Sequence, residues 1–219
     1  RDNHKFPLTK NNIRDVSFIA RKKFSEETLA KLKAKGKEMG ATVNEMLLAA
    51  YFYSVYELAG FPISDQVMIS SAIDLRRHMA TVADKGFTNH TAWMQCAIPE
   101  RGKDIFETVK YVVKSSNRFK KDKFMGLYGL PLLNFGYSIL PHAASEEIIK
   151  IGYSNPYMAM SNIGILKGND LALMGKDPVD AFMSGAVKYK PFVLLTATTY
   201  KNVITLSMCV RGNDKDKEI

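Results

Sequence analysis

Two neighbouring polar residues interrupt an apolar stretch in the second half of the sequence. Ser161 and Asn162 follow Met158-Ala159-Met160 and precede Ile163-Gly164-Ile165, a pattern that predicts a buried β-strand. Polar groups that break an apolar pattern mark either a functional site or a hydrogen bond satisfied inside the core. Gly164 would let substrate or backbone approach closely, but a β-bulge explains it equally well. Both interpretations stay open at this point.

None of the four histidines has neighbours that could orient it for general acid–base catalysis. His4 lies in a polar opening segment, and His78 follows two arginines that oppose its protonation. His90 falls in a predicted loop, and His142 precedes a Ser-Glu-Glu helix start. We predict that each imidazole is solvated or structural.

The sequence also lacks the familiar signatures of self-sufficient enzymes. It has no Gly-x-Ser-x-Gly elbow, no phosphate-binding loop, no dinucleotide fingerprint and no His-Glu-x2-His metal site. We therefore predict no metal site and no tightly bound cofactor. Cys96 and Cys209 are far apart, which indicates neither a disulfide framework nor a zinc knuckle and favours a reducing cytoplasm.

The net charge of +9 suits nucleic acid, an anionic membrane surface or a phosphate-bearing cofactor such as coenzyme A. The lysines and arginines are dispersed, many of them towards helix C-termini where they complement the helix dipole. We therefore predict that nucleic acid is not a partner. No apolar run reaches the roughly 18 residues typical of a membrane span, so none is predicted.

Three capping patterns predict the helices that must position any site. Ser25 precedes Glu26 and Glu27, Thr42 precedes Glu45, and Asp104 precedes Glu107. The helix after Thr42 is apolar nearly all round, so it must lie between layers. That requirement predicts an α/β sandwich, and 219 residues suffice for one core.

Short apolar runs separated by turn signals predict the strands, with broken helices expected over 124–150. The closing two strands should form a hairpin, because Asn202 in the turn Lys201-Asn202 tolerates a positive φ. Residues 1–15 are predicted to be a lead-in or linker, 16–212 one lobe, and 213–219 a polar tail with its final element truncated. The predicted strands are Val16–Ala20, Val67–Ile73, Thr91–Ile98, Tyr157–Leu166, Leu171–Met174, Phe182–Val187, Phe192–Tyr200 and Val203–Val210.

The order of these segments resembles a known family. Gly40-Ala41-Thr42-Val43-Asn44-Glu45-Met46-Leu47-Leu48-Ala49-Ala50 is similar to the opening of the second lobe of condensation-like acyltransferases. Asp74-Leu75-Arg76-Arg77, then 86–91 with a one-residue departure in spacing, then Ser161-Asn162-Ile163-Gly164 and the closing hairpin follow in the family's order. Over about 16–212 the chain resembles the C-terminal lobe of condensation-domain and alcohol-acetyltransferase-like proteins, in the coenzyme-A-dependent acyltransferase superfamily.

That resemblance implies a single lobe of the chloramphenicol-acetyltransferase-like fold, a mixed sheet flanked by helices. In the family a His-His-x3-Asp-Gly motif supplies the histidine that deprotonates the acyl acceptor. No histidine here is followed four residues later by Asp, so the base cannot be assigned to this chain. The resemblance thus implies the C-terminal half of an acyltransferase, inactive without the N-terminal lobe of the same polypeptide.

The family also suggests which residues line the site. A serine at the position of Ser161 can steady the oxyanion, with Asn162 beside it. Asn89 and Thr91 match a polar stretch near the lobe junction, although a turn held by an Asx hydrogen bond explains Asn89 at least as well. Arg76 matches an arginine that ends the preceding strand, and a structural ion pair is the favoured interpretation over substrate binding.

Two functions therefore stay open. In the first, the parent protein transfers an acyl group other than an amino-acyl group to an alcohol or amine, with acyl-coenzyme A as co-substrate or a carrier-bound thioester as donor. In the second, the lobe belongs to a non-catalytic condensation-like module that binds or docks a carrier protein. The sequence does not decide between them.

Overall fold

The three longest helices begin at the capping residues that the sequence predicts. In this computed structural model, which describes residues 4–78, 89–122, 124–152 and 156–219, Ser25 Oγ accepts a hydrogen bond from Thr28 N at 3.2 Å. Thr42 and Glu45 form a complete capping box, and Asp104 accepts from Glu107 N at 2.8 Å. The helices are α1 Glu26–Glu38, α2 Val43–Ala59, α3 Ile105–Lys120, α4 Leu130–Ile139, α5 His142–Gly152, α6 Gly168–Leu171 and α7 Asp214–Glu218, with a 3-10 turn at Leu75–His78.

Within the described residues, seven strands form one mixed sheet in the order β1-β7-β6-β4-β2-β3, with β5 pairing β7 beyond the first β6–β7 pair, Leu195 with Met208. Strands β2, β4 and β6 run parallel to one another, and β5 is parallel to β7. The pairs β1–β7, β6–β7 and β2–β3 are antiparallel. The strands are β1 Val16–Phe24, β2 Val67–Asp74, β3 Thr91–Ile98, β4 Met158–Leu166, β5 Lys188–Tyr189, β6 Val193–Tyr200 and β7 Val203–Gly212.

Helices α2 and α3 pack together on one face of this sheet. Phe52 and Val55 of α2 and Val112 of α3 are fully buried against Ile69 of β2 and Met160 of β4. The sheet covers one side of α2, and α3 and α1 pack beside it. These contacts explain why α2 is apolar nearly all round. The architecture confirms the predicted α/β class with a mixed sheet and flanking helices.

Two of the predicted strands are wrong. Leu171–Met174 is not a strand: the chain forms the α6 turn and then a tight turn in which Leu173 and Lys176 exchange backbone hydrogen bonds of 3.0 Å. Phe182–Val187 is not a strand either, because its backbone meets threonine and serine hydroxyls of the sheet face rather than a neighbouring strand. Both runs have strand-like composition, but neither pairs with a strand of the sheet.

The predicted closing hairpin and the predicted broken helices are confirmed. Lys201 and Asn202 both have positive φ, 46° and 61°, and they join β6 to β7 as a two-residue turn. Helices α4 and α5 occupy the stretch expected to hold broken helices. Of the segment 86–91, residues 86–88 lie outside the described residues.

The two ends of the chain meet on the sheet. Residues 4–15 have no regular secondary structure, but Thr9 N donates to Asp216 Oδ1 at 2.7 Å. The stretch 213–219 contains the short helix α7, capped by Asn213. The division into 1–15, 16–212 and 213–219 stays a prediction, although both outer segments contact the lobe between them.

Candidate functional site

The candidate site lies where three parallel strands end. Strands β2, β4 and β6 are neighbours and run in the same direction, so their carboxyl ends share one edge of the sheet. In open α/β sheets, ligands bind in the crevice outside the carboxyl ends of the strands. Of the five predicted site residues, Arg76, Asn89 and Thr91 lie at or beyond this edge, whereas Ser161 and Asn162 lie within β4, which ends at Leu166.

Ser161 lies on β4 and is half-buried. It is in register with Thr196 of β6, whose own β7 partner is Ser207. The three residues form a row of hydroxyls across three strands on the face opposite the main core. Thr196 Oγ1 and Ser207 Oγ lie 2.6 Å apart, and the Met183 carbonyl oxygen lies within hydrogen-bond distance of both. The Thr196 and Ser207 hydroxyls are therefore committed to structure, and Ser161 is the member of the row with accessible surface.

Asn162 and Gly164 shape the end of β4. Asn162 Oδ1 accepts a hydrogen bond from Gly164 N at 2.9 Å. The register between β4 and β6 shifts between Asn162 and Ile165, and Gly164 has φ 79°, a conformation that favours glycine. The bulge explanation for Gly164 is confirmed. The side-chain oxygen of Asn162 holds that bulge, so only its NH₂ group is left for a ligand.

Arg76, Asn89 and Thr91 gather at the end of the β2–β3 hairpin. Arg76 Nη1 lies 3.2 Å from Asp74 Oδ1, which is the structural ion pair that the sequence favours. Asn89 Oδ1 accepts from Thr91 N at 3.0 Å, so the Asx turn is present. Thr91 is itself in register with Asp74. These contacts fix the local loop, and they account for all three residues without a ligand.

The structure brings these residues to one end of the sheet in two groups. Strands β2 and β4 pair only through Ser70 with Ala159 and Ser71 with Met160. Asp74 lies three residues beyond Ser71, or about 10 Å at 3.3 Å per residue, whereas Ser161 follows Met160 directly. Along the strand direction, Arg76, Asn89 and Thr91 therefore lie closer to the carboxyl edge of the sheet than Ser161 and Asn162 do. A ligand would have to be extended to contact both groups.

Sequence reasoning missed the polar pair Ser70-Ser71 on β2. Both residues are buried, and the Ser71 hydroxyl has no hydrogen-bond partner within the described residues. The sequence pattern could have indicated this pair, because Ser70 and Ser71 interrupt the apolar run Val67–Ile73 in the same way that Ser161 and Asn162 interrupt β4. Since Ser71 pairs with Met160, the two interruptions are adjacent in the sheet.

Two of the four histidines, His78 and His90, lie beyond the end of β2 at this edge. His4 Nε2 lies 3.1 Å from Asp65 Oδ2, a histidine–carboxylate pair, but Asp65 precedes β2 at the opposite end of the sheet. His78 Nε2 lies 3.1 Å from the Met125 carbonyl. His142 is exposed at the first residue of α5, and the His90 carbonyl accepts from Leu75 N.

The thiols and the described acidic groups offer no alternative chemistry. Burial raises the pKa of Cys96 to about 11, so its thiol stays protonated at neutral pH. Within residues 4–78, 89–122, 124–152 and 156–219, no group of three His, Cys, Asp or Glu residues is placed to hold a metal ion. None of the helices in these ranges combines the length and the apolarity needed to cross a bilayer.

Comparison with solved structures identifies the fold. No protein-family model and no curated protein sequence matches the chain. The chain matches trichothecene 15-O-acetyltransferase from Fusarium sporotrichioides with a TM-score of 0.66 at 14% identity, over 100% of this chain and 46% of that one. It matches the EpoB cyclization-docking bidomain from Sorangium cellulosum with 0.63 at 10%, over 96% and 41%.

A third structure, PapA2 acyl transferase, matches with a TM-score of 0.60 at 13% identity, over 98% of this chain and 44% of that one. The chain therefore has the fold of one part of each of these solved structures, a single chloramphenicol-acetyltransferase-like lobe with a mixed sheet flanked by helices, as the sequence resemblance implied. The chain spans less than half the length of these solved structures.

Proposed function

We propose that this chain is the C-terminal half of an acyltransferase that moves an acyl group from a coenzyme A or carrier thioester to an alcohol or amine. The observation that carries the proposal is the half-buried hydroxyl of Ser161 on β4, the middle one of three parallel strands, in a lobe whose fold matches that of acyltransferases. The chain matches acyltransferases over its whole length but covers under half of theirs. A second lobe would complete the cleft.

In this reaction the acceptor oxygen or nitrogen attacks the thioester carbonyl, the new C–O or C–N bond forms, and the C–S bond breaks. A base takes the acceptor proton, which then protonates the leaving thiolate. Because no histidine of this chain is followed four residues later by Asp, as the family's basic histidine is, we assign the base to the other lobe. The isolated chain is then inactive.

The hydroxyl of Ser161 would stabilise the negatively charged oxygen of the tetrahedral intermediate. This hydroxyl can donate a hydrogen bond to the carbonyl oxygen as that oxygen becomes negative, and a preorganised donor of this kind stabilises the transition state more than the ground state. Thr196 and Ser207, which are held by the Met183 carbonyl, keep the neighbouring strand fixed behind it. Asn162 would contribute its NH₂ group at the mouth of the site.

Release of thiol from acetyl-coenzyme A, measured with a panel of alcohols and amines, tests this function. We expect turnover by the full polypeptide and none by the 219-residue chain alone. Ser161→Ala in the full polypeptide should lower kcat by roughly 10²- to 10³-fold with little change in KM, as loss of one oxyanion donor does.

Ser17→Ala provides the matched control, because Ser17 is exposed on the distant strand β1. It should leave kcat unchanged. Turnover by the isolated chain at the rate of the full polypeptide, or a Ser161→Ala enzyme with unaltered kcat, would refute the assignment. If the full polypeptide binds a carrier protein but transfers no acyl group, the non-catalytic docking module takes its place.

A further inference from the structure

Helix α4 exposes an unusual amount of apolar surface. None of its residues is buried, and Leu132 and Phe135 are 74% and 62% exposed. With Phe124, Leu127 and Tyr128 the helix lines an open groove of about 910 Å³. The whole stretch 124–141 contains no Asp, Glu, Lys or Arg. Soluble proteins seldom leave such a continuous apolar patch in contact with water.

The apolar side chains of α4 surround most of the helix. At 100° per residue, the six large apolar residues span an arc of roughly 220°, about twice the stripe that a surface helix buries against one neighbour. A groove on another protein would cover one side of this arc. A lipid acyl-chain layer contacts all of it. The six residues are Leu130, Leu132, Leu133, Phe135, Tyr137 and Ile139.

A row of cations leads directly to this helix. Lys110, Lys114, Arg118 and Lys121, which we call the basic stripe, lie on one exposed side of α3 and line a cleft of about 440 Å³. No acidic residue lines that cleft, and none of the four cations makes an ion pair with another described residue. Lys121 ends the basic stripe three residues before Phe124, which lines the apolar groove.

The dimensions fit insertion into one leaflet. Ten residues of α-helix are about 15 Å long, half of the roughly 30 Å hydrocarbon core of a bilayer. An apolar helix of this length can enter one leaflet and cannot span the membrane. Cations beside such a helix meet anionic headgroups at the surface, each contributing about a fivefold gain in binding.

From these observations we propose that α4 and the basic stripe form a docking surface for an anionic lipid membrane. The basic stripe binds the lipid phosphates, and α4 places Leu132 and Phe135 among the acyl chains. The proposal does not depend on acyltransferase activity. A polybasic surface combined with a short apolar element binds membranes reversibly, because neither signal suffices for stable anchoring.

Co-sedimentation of the full polypeptide with vesicles tests the surface. We expect it to bind mixed phosphatidylcholine and phosphatidylserine vesicles and to bind phosphatidylcholine vesicles much more weakly. Removing two cations with Lys114→Ala and Arg118→Ala should weaken binding by roughly 25-fold, from about fivefold per cation. Leu132→Asn with Phe135→Asn should weaken it at least tenfold.

Matched controls come from elsewhere on the surface. Lys33→Ala with Lys37→Ala removes two exposed cations from α1, and Ile13→Asn with Val179→Asn alters two apolar residues that are more than 90% exposed. Neither pair should change vesicle binding. All four substituted pairs should keep the parent's melting temperature, because none of the altered side chains is buried.

Depth is measured independently by quenching with brominated lipids. Phe135→Trp should add an emission that these lipids quench, beyond any quenching of the parent, because Trp93 on β3, the only tryptophan of the 219-residue chain, lies outside α4.

Four results would overturn the proposal. The first is a parent that binds neither vesicle. The second is binding that depends on the basic stripe but not on Leu132 and Phe135, and the third is tighter binding of a DNA duplex than of anionic vesicles. The fourth is a change from dimer to monomer in the Leu132→Asn, Phe135→Asn variant without loss of vesicle binding, which would assign α4 to a second copy of the chain.

Discussion

Glu45 shows how one residue secures the layer behind the candidate site. Its carboxylate is buried at the start of α2 and accepts hydrogen bonds from Thr42 N and Thr42 Oγ1 at 2.7 Å, from Lys120 Nζ at 2.6 Å, and from Ser116 Oγ. Burial alone would raise the pKa of Glu45, but the bonds from Lys120, Ser116 and Thr42 outweigh it and lower the pKa. One carboxylate therefore caps α2 and ties it to α3.

We expect Glu45→Gln to destabilise the fold by about 2–4 kcal/mol, because the amide NH₂ would face donors where the carboxylate accepts from four groups. Urea unfolding at neutral pH measures the loss. Glu38→Gln is the control, since Glu38 is exposed and pairs only with Lys35 three residues away. That change should cost under about 0.5 kcal/mol. Equal effects of the two substitutions would contradict this account.

At the level of single residues, the five site residues stay a prediction. Ser161 and Asn162 lie on the predicted strand β4, because an interrupted apolar pattern is visible without coordinates, whereas Arg76, Asn89 and Thr91 were suggested by the family resemblance. The Asx turn at Asn89 and the ion pair of Arg76 were both expected from the sequence. The hydrogen bond from Gly164 N to Asn162 was not, because it depends on the backbone geometry of the bulge in β4.

At the level of elements, helices and strands differed in how far the sequence could predict them. The capping residues Ser25, Thr42 and Asp104 fix helix starts through local hydrogen bonds, so the sequence alone suffices. A strand needs a partner edge, which is a non-local property. The run Phe182–Val187 has the composition of a strand but crosses the sheet face, where Thr196, Thr198 and Ser207 satisfy its backbone.

Thr198→Val tests this account of the 182–187 segment. Thr198 is buried on β6, and its Oγ1 accepts from Met183 N at 2.9 Å. Removing the acceptor leaves that N–H without a partner, so we expect a loss of about 1–2 kcal/mol and faster hydrogen exchange at the Met183 amide. Exchange mass spectrometry and thermal unfolding measure both.

Thr199→Val is the control for that experiment. Thr199 is the next residue of the same strand, faces the opposite side, and its hydroxyl makes no hydrogen bond to the residues described. Its replacement should leave the exchange rate at Met183 as it is in the parent. An unchanged rate in Thr198→Val would show that the segment is held by packing alone.

At the level of the whole molecule, Lys190 joins parts of the chain that are nearly 200 residues apart. Its side chain is 4% exposed, and Nζ lies 2.6 Å from Asp216 Oδ2, 3.1 Å from Asp15 Oδ2 and 2.8 Å from Thr9 Oγ1. The sequence could not reveal this cluster, because Lys190 resembles any surface lysine and 213–219 resembles a solvated tail. Long-range pairing of buried charges is set by the finished fold.

Burial and charge act in opposite directions on this cluster. Burial would lower the pKa of Lys190, but its bonds to Asp216 and Asp15 outweigh burial and raise the pKa. Burial would likewise raise the pKa of Asp216, but Lys190, Asn213 and Thr9 lower it from 3.8 to about 2. Asp216 therefore stays ionised in the folded chain at a pH where it is already protonated in the unfolded chain. As a result, the free energy of unfolding falls as the pH becomes acidic.

The stability that Asp216 contributes should be complete above about pH 4 and be lost as the pH falls from about 4 to about 2, because its folded pKa is depressed. The loss is on the order of 2 kcal/mol. Asp216→Asn should be less stable than the parent at neutral pH, with the difference narrowing through this window when urea unfolding is followed at each pH. Asp214→Asn, altering an exposed carboxylate beside Lys217, should track the parent at every pH. A constant gap between Asp216→Asn and the parent from neutral pH to pH 2 would mean that the pairing with Lys190 does not hold the chain ends to the lobe.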